Sequence, residues 1–314
     1  MAWLGALVAC APAVPTDLVW VEVPEGAPVE AVAESLAVHG IVPSAEGFVR
    51  LARYDGQYRD IKPGLYSLQP RMGRYNALST LLKGEGRVRV IEVRERMTLV
   101  ELADELEQRY GLPRAELFAA ARDSALRARA RAAGSTIEGY LFPTTYYVPF
   151  DASVPVILGE MADTFEARWR PAWNARLDTL GLSRDQVVIL ASIISGEMPL
   201  ADERFQVASM YHNRLARGMR LQADPTVVYT LGERRRLTFA DYRVPSDYNT
   251  YTITGLPPGP IGQPSTESLE AALYPATTDF LYMVARPDGS HAFSRTYREH
   301  LRTIREIRSG RRGR

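Results

Sequence analysis

A single acidic residue ends a long apolar run near the middle of the chain. Residues 187–196 carry no charged side chain, and Glu197 follows them directly. A carboxyl group among apolar side chains keeps its proton to higher pH, and a carboxyl that is protonated near neutral pH can donate that proton to a leaving oxygen. Glu197 is therefore the candidate general acid, and the alternative is an ordinary glutamate at a helix end.

Three further segments combine aromatic rings, hydroxyls and carboxylate or amide groups, which suit the apolar faces and hydroxyl edges of sugar rings. They are residues 138–147, 221–226 and 248–251. The candidate substrate-binding residues in them are Glu138, Tyr140, Phe142, Thr144, Tyr146, Gln222, Asp224, Thr226, Tyr248, Asn249, Thr250 and Tyr251. The first segment is equally typical of a core strand, and the second of a turn.

Local signals predict the elements that hold Glu197. Ser183 and Gln186 form a capping-box pattern, which predicts a helix over residues 184–197 that ends before Pro199. A second helix is predicted over residues 202–217, with Gly218 just beyond its end.

The chain after Gly218 is rich in proline and glycine, above all at residues 257–260, which is typical of active-site loops. Near the end, residues 280–285 predict a buried strand. Asp288-Gly289 predicts a hairpin turn, and residues 291–293 predict the partner strand.

The N-terminal third contains an internal repeat. Residues 21–25 align with residues 91–95 at an offset of 70, and the apolar match continues from 29–36 to 99–106. Each copy changes from alternating to helical spacing, which predicts a strand, a turn and an amphipathic helix. Such units resemble a glycan-binding module of the LysM type, and a structural duplication without a ligand is the alternative.

The predicted fold class is α+β: a small duplicated strand-helix LysM-like module followed by an α+β catalytic domain. Residues 19–134 form the first region, in which residues 113–134 are a helical connector. Residues 135–314 form the second region.

Composition excludes several classes of function. The net charge of the 314 residues is +1, so no general electrostatic attraction favours nucleic acid as a partner. One cysteine allows neither a disulfide nor a cysteine metal site, and the four histidines lack ligand spacing. No nucleotide motif is present, so no cofactor is predicted.

Residues 1–18 are apolar and uncharged up to Asp17. Their length is short of the roughly 20 residues of a membrane span, and the positive start of a signal peptide is missing. Leu7-Val8-Ala9-Cys10 resembles a lipoprotein cleavage box. A membrane anchor, a lipoprotein signal and a buried N-terminal segment are the three interpretations. The first two place the folded part outside the cytoplasm of a bacterium.

Taken in order, the motifs resemble those of the endolytic murein transglycosylase (MltG/YceG-like) family, from Val21 to about His300. The segments that carry the resemblance are 138–146, 190–194 with Glu197, 203–204, 207–209, 213–215, 218–222, 224–226, 248–251, 255–261 and 291–293. Family members commonly have Glu-x-Glu where this chain has Ser195-Gly196-Glu197. The resemblance implies that Glu197 keeps the catalytic role, whereas a role for the first acid would make this protein inactive.

The resemblance implies cleavage of the β-1,4 bond between N-acetylmuramic acid and N-acetylglucosamine within peptidoglycan strands, with a 1,6-anhydro product. It implies peptidoglycan strands, the cytoplasmic membrane and peptidoglycan synthases as partners, and a catalytic domain on the outer face of the membrane.

The residues also allow a hydrolase or a glycan-binding scaffold, and they disfavour a pyridoxal-phosphate lyase. A hydrolase would need a second carboxylate, and Asp224, Glu138 and Glu203 are the motif acids available. A non-catalytic glycan-binding scaffold would keep the repeat region and tolerate the loss of one motif acid at Ser195. A pyridoxal-phosphate lyase needs a lysine, and Lys62 and Lys83 both lie outside the motifs.

Overall fold

The computed structural model describes residues 18–54, 56–197, 200 and 203–311. The chain divides into two units, Met1–Val90 with Tyr147–Asp151, and Ile91–Tyr146 with Ala152–Arg314. The predicted anchor, residues 1–18, lies outside the described residues except for residue 18. None of the helices in the described ranges is long and apolar enough to cross a membrane.

The first unit is built on an antiparallel sheet with the strand order β1-β2-β3-β4. Its strands and helices are β1 (Val19–Val23), β2 (Gly64–Leu68), most of β3 (Arg87–Glu92) and β4 (Thr145–Pro149), α1 (Val29–Val38), α2 (Ala45–Tyr54) and α3 (Gly73–Lys83). The strand registers pair Val21 with Tyr66 and Leu65 with Val88. Apolar side chains of β1, β2 and the three helices form one core, because each helix turns one apolar stripe inward.

The second unit is mainly helical. Its elements are α4 (Leu99–Tyr110), α5 (Arg114–Arg122), α6 (Ser124–Arg129), α7 (Val154–Arg168), α8 (Pro171–Leu180), α9 (Arg184–Gly196), α10 (Arg204–Ala216), α11 (Asp224–Leu231), α12 (Thr266–Leu273), α13 (Tyr297–Arg311) and the hairpin β5 (Tyr282–Ala285) and β6 (His291–Ser294). Helix α9 lies at its centre and packs against α8, α10, α11 and α12. A helix covered on all sides is apolar all round, which explains the unbroken run in the sequence.

The α+β fold class and most of the local predictions are confirmed. Both repeat copies form a strand followed by a helix, and the capping box of Ser183 precedes α9. Gly218 has a left-handed φ of 62° just after α10. The hairpin turn at Asp288-Gly289 joins β5 to β6.

Three predictions need correction. The turn predicted at residues 221–226 gives way to a helix, because Pro225 lies in the first turn of α11, where its missing N–H needs no partner. The strand predicted as buried forms only over Tyr282–Ala285, and these residues are half-buried or exposed because a two-stranded sheet covers only part of their surface. The helical stretch 113–134 is broken at Asp123, whose side chain accepts the Leu126 N–H and starts a new helix.

The second repeat copy belongs to the larger of the two units. Hydrogen bonds explain this grouping. The Arg96 N–H donates to the Gln263 carbonyl at 2.7 Å, and the Leu99 N–H donates to the Glu138 carboxylate at 3.1 Å. The two copies therefore share a local fold but contribute to different units.

Candidate active site

Helix α9 delivers Glu197 to the edge of the buried layer. The Ser183 hydroxyl accepts the Gln186 N–H at 3.2 Å, which fixes where the helix begins. Residues 187–195 are all buried, and Glu197 is the residue that caps the helix at its other end. Its side chain is partly exposed, so the carboxyl meets a pocket directly after the apolar run.

The pocket beside Glu197 has a volume of about 470 Å³. Its lining residues are Arg96, Thr98, Val100, Glu101, Asp104, Ser192, Gly196, Glu197, Asp224, Pro225, Val228, Tyr229, Gly232, Glu233, Arg234 and Ile261. A cleft of this size, with an apolar wall and a few converging charged groups, is typical of a ligand site.

The carboxyl of Glu197 is poised between its two protonation states. Burial raises its pKa to about 7, and the negative charge of Asp224 adds to this rise. A hydrogen bond from the Tyr211 hydroxyl and the positive charges of Arg214 and Arg96 oppose it. Near neutral pH the group can therefore serve as an acid in one step and as a base in the next.

Tyr211 and Arg214 lie three residues apart on α10, so both project from the same side of that helix. Both are buried, with Arg214 only 6% exposed. The Arg214 guanidinium donates to the carbonyls of Leu281 at 2.6 Å and Leu221 at 2.7 Å. These neutral partners leave its positive charge available to act on Glu197.

Asp224 is the second acid of the pocket that sequence analysis selected. It begins α11, and it accepts the hydroxyl of Tyr251 at 2.6 Å and that of Tyr242 at 3.4 Å. Thr226 and Thr250 are fully buried and bond to each other at 2.9 Å, which ties α11 to the 248–251 turn. Asp224 thus lines the pocket, Tyr251 donates a hydrogen bond to it, and the two threonines connect the elements behind it.

Glu138 does not line the pocket, but it accepts the hydroxyl of the lining residue Tyr229 at 3.5 Å and is only 4% exposed. Its carboxyl accepts the Leu99 N–H at 3.1 Å, at the start of α4, and the Gln263 side-chain amide at 2.8 Å. Burial raises its pKa to about 8, although these hydrogen bonds lower it. Glu138 therefore joins α4 to the loop that contains Gln263.

The remaining candidates occupy two kinds of position. Tyr140, Phe142 and Tyr146 are core residues: the Tyr140 hydroxyl donates to Asp185 at 2.5 Å and the Tyr146 hydroxyl to the Phe142 carbonyl at 2.6 Å. Thr144 is half-buried, and its carbonyl accepts the Val93 N–H at 2.9 Å. These four residues support the unit and do not line the pocket.

The second group is Gln222, Tyr248 and Asn249, which lie in or bond to the 248–251 turn. Asn249 is fully buried and its amide donates to the Val244 carbonyl at 2.8 Å. The Tyr248 ring packs against Tyr229, 4.8 Å between centroids, and Tyr229 lines the pocket. Gln222 is exposed, with a left-handed φ of 50°, and its N–H donates to the Thr250 carbonyl.

Ser195 lies two residues before Glu197. It is 2% exposed and does not line the pocket, and its hydroxyl donates to the Glu95 carboxylate at 2.7 Å. The third acid considered for a hydrolase, Glu203, binds the backbone N–H and ring of His291, each at 2.8 Å. Glu197 thus lines the pocket, whereas Ser195 and Glu203 do not.

Sequence analysis missed Tyr211, Arg214 and Arg96 as site residues. The first two are brought to Glu197 only when α9 and α10 pack together, and no local pattern shows this. Arg96 had a signal, because the repeat offset aligns it with Gly26. The described residues contain no cluster of histidine, cysteine or acidic side chains suited to a metal ion.

Comparison with known proteins places this geometry in context. The endolytic murein transglycosylase of Bacillus subtilis is 29% identical over 299 residues, which cover 89% of this chain and 82% of that protein. The endolytic murein transglycosylase of Streptococcus pneumoniae D39 is 27% identical over 92% of this chain and 58% of that protein.

A crystal structure of a yceG-like protein from Listeria monocytogenes superposes with a TM-score of 0.65 at 30% identity, and covers 91% of this chain and 98% of that chain. The model of the YceG-like family matches residues 21–306. The resemblance found in the motifs is thereby confirmed, and the chain belongs to the YceG-like family.

Proposed function

We propose that the protein is an endolytic peptidoglycan lytic transglycosylase with Glu197 as its catalytic residue. The observation that carries the proposal is one carboxyl with a pKa of about 7, at the end of a buried helix and in a pocket, in a member of the YceG-like family. The relatives named endolytic murein transglycosylase support the same activity.

The proposed reaction uses Glu197 twice. Its protonated carboxyl donates a proton to the glycosidic oxygen while the bond from that oxygen to the muramoyl C1 breaks. The carboxylate then accepts the proton of the muramoyl C6 hydroxyl, whose oxygen forms a new bond to C1. The proton is thus transferred from O6 to the leaving oxygen through one side chain, no water is consumed, and the product ends in 1,6-anhydro-N-acetylmuramic acid.

The test compares wild type with Glu197→Gln on purified peptidoglycan strands, with mass spectrometry of the released fragments. Glutamine keeps the shape of the side chain but cannot exchange the proton, so we expect turnover to fall by about 100-fold or more. Glu160→Gln is the matched control, because burial also raises the pKa of Glu160 but this residue is on α7 and does not line the pocket. Unchanged turnover in Glu197→Gln would refute the assignment.

A hydrolase is the second candidate, and Asp224 favours it because this acid lines the same pocket as Glu197. Two carboxylates could activate water or form a covalent intermediate. The same mass spectra separate the two reactions. Anhydro ends support the transglycosylase, and reducing-end sugars on the products would require the hydrolase.

We propose further that the N-terminal region binds glycan in the manner of a LysM-like module. The rings of Trp20 and Tyr147 are packed 4.8 Å apart and are 44% and 49% exposed, which offers a sugar ring an apolar surface. Sedimentation of Glu197→Gln protein with insoluble peptidoglycan measures this binding without cleavage. If the protein binds peptidoglycan strongly but the wild type cleaves it in no assay, the non-catalytic scaffold is favoured.

We also propose that the protein acts at the outer face of the bacterial cytoplasmic membrane, held by an anchor at its N-terminus. Cleavage within new strands would there end their elongation beside the peptidoglycan synthases. Fractionation of cells that express the full chain tests the location, and recovery in the cytoplasmic fraction would refute it.

A further inference from the structure

The two repeat copies differ at one backbone position that requires an unusual conformation. Gly26 follows Glu25 in the first copy and has a φ of 71°. In the second copy Arg96 follows Glu95 and has a φ of 70°. Glycine adopts this left-handed conformation at no steric cost, whereas a residue with a Cβ loses about 1–2 kcal/mol there.

The surrounding structure fixes Arg96 in this conformation. Its N–H donates to the Gln263 carbonyl at 2.7 Å, and its own carbonyl accepts the Arg234 guanidinium at 2.9 Å. Gly262 packs so closely that a Cβ there would lie 2.6 Å from the Arg96 carbonyl oxygen. A strained residue that is held this firmly next to a catalytic acid is a candidate for function.

The side chain of Arg96 lines the pocket that contains Glu197. Its Nε is buried and has no hydrogen-bond partner among the described residues. Burial and the nearby charge of Arg234 lower the pKa of Arg96, so an anion beside this guanidinium would relieve both effects.

The acids on the rim of the pocket already have arginine partners. Glu101 binds Arg234 at 2.7 Å, Glu233 binds Arg235 at 3.3 Å, and Asp104 forms an ion pair with Arg114. Asp224 is occupied by two tyrosine hydroxyls. Among the described residues that line the pocket, Arg96 is therefore the cation that still has a hydrogen-bond donor available for a ligand.

We propose that Arg96 is a specificity-determining residue that binds a carboxylate of the substrate beside the bond that Glu197 cleaves. The inference rests on the proposed function, because the ligand must be a peptidoglycan strand. Two kinds of carboxylate on such a strand have the required chemistry. One kind belongs to the stem peptide, and the other is the lactyl carboxylate, which is free where the peptide has been removed. A planar guanidinium suits either group.

The test measures kcat/KM on three substrates: peptide-bearing strands, the same strands with their carboxylates amidated, and peptide-free strands. We expect wild type to favour free carboxylates over amidated ones by about tenfold, the effect of one charged hydrogen bond. Arg96→Gly should abolish this preference. A larger fall of kcat/KM in Arg96→Gly on peptide-bearing strands identifies a stem-peptide carboxylate as the ligand. A larger fall on peptide-free strands identifies the lactyl carboxylate.

Arg71→Gly is the matched control, since Arg71 also has a left-handed φ, 60°, but does not line the pocket. It should keep the preference of wild type. Both glycine variants should unfold at or above the wild-type temperature, because glycine removes backbone strain. Arg96→Asn provides a second test, because asparagine tolerates the same conformation.

The inference is overturned if Arg96→Gly and Arg96→Asn keep the preference for free carboxylates, or if wild type shows none. That failure differs from failure of the proposed function, in which wild type would release no anhydro ends from any of the three substrates.

Discussion

At the scale of single residues, the proposed chemistry depends on the balance between the two protonation states of Glu197. Burial and Asp224 favour the neutral acid, and the Tyr211 hydroxyl with two arginines favours the carboxylate. A group that must donate a proton and then accept one works best with a pKa near the working pH. The opposing neighbours of Glu197 therefore matter as much as its burial.

Removal of the Tyr211 hydroxyl should disturb this balance in one direction. Tyr211→Phe keeps the ring in its buried site but deletes the hydrogen bond to the Glu197 carboxylate. The pKa of Glu197 should rise by about 1 unit, as expected for loss of a charged hydrogen bond. The measurement is the pH dependence of kcat/KM, whose limb for ionisation of Glu197 should move to higher pH.

Tyr146→Phe is the control for this substitution. Tyr146 is also buried, but its hydroxyl donates to the Phe142 carbonyl and not to a pocket residue. The two variants should lose similar stability while only Tyr211→Phe shifts the pH profile. Identical profiles in both would contradict the role given to Tyr211.

At the scale of elements, the contact between α9 and α11 sets the relation of the two pocket acids. Gly196 ends α9, and a Cβ at this position would lie 2.5 Å from the Pro225 Cβ in the first turn of α11. Glu197 and Asp224 are the direct neighbours of these two residues. The missing side chain at Gly196 therefore permits the close approach that brings both acids into one pocket.

Gly196→Ala should push the two helices apart. We expect a loss of about 1–3 kcal/mol of stability from overpacking, and a larger relative fall in turnover because the acids are displaced. Urea denaturation and kcat on peptidoglycan strands measure the two effects. Gly134→Ala is the control, since an added Cβ there would meet only the Thr136 carbonyl at 3.9 Å, and it should leave both quantities unchanged.

Wild-type turnover in Gly196→Ala would show that the α9–α11 contact does not set the site. A rise in stability would point the same way, because alanine has the higher helix propensity when packing is unaffected.

Elements with strong local signals could be predicted from the sequence, and those defined by long-range contacts could not. The capping box at Ser183 predicts where α9 begins, because its hydrogen bonds lie within four residues. The pairing of Glu197 with Tyr211 depends on the packing of α9 against α10. The Asp224-Pro225 step was ambiguous, because aspartate and proline begin turns and helices alike.

At the scale of the whole molecule, the two strand-helix copies belong to different units. The first copy keeps glycine at its left-handed position, and its unit carries the exposed Trp20–Tyr147 pair. The second copy lies in the unit that contains Glu197 and has arginine at the matching position. The same local strand-helix pattern thus occurs both in the sheet-based unit and beside the candidate pocket.

Two carboxyls with raised pKa values should make the stability of the protein depend on pH. The folded pKa values of Glu138 and Glu197 are about 8 and about 7, raised from an ordinary value of 4.5. The folded state therefore binds protons that the unfolded chain has released, so stability is full below about pH 4.5 and falls as the pH rises. Between pH 7 and pH 8 the further decline comes mainly from Glu138, because Glu197 is already half ionised at pH 7.

Glu138→Gln should remove that last part of the decline, about 1 kcal/mol between pH 7 and pH 8. The Gln263 amide points at residue 138 because its own oxygen accepts the Leu141 N–H, so the oxygen of a glutamine at 138 can still accept its hydrogen bond. Thermal unfolding at a series of pH values measures the effect, with the exposed Glu116→Gln as control. The same slope in wild type and Glu138→Gln above pH 7 would mean that Glu138 is ionised in the folded protein, and that its bonds to Leu99 and Gln263 outweigh its burial.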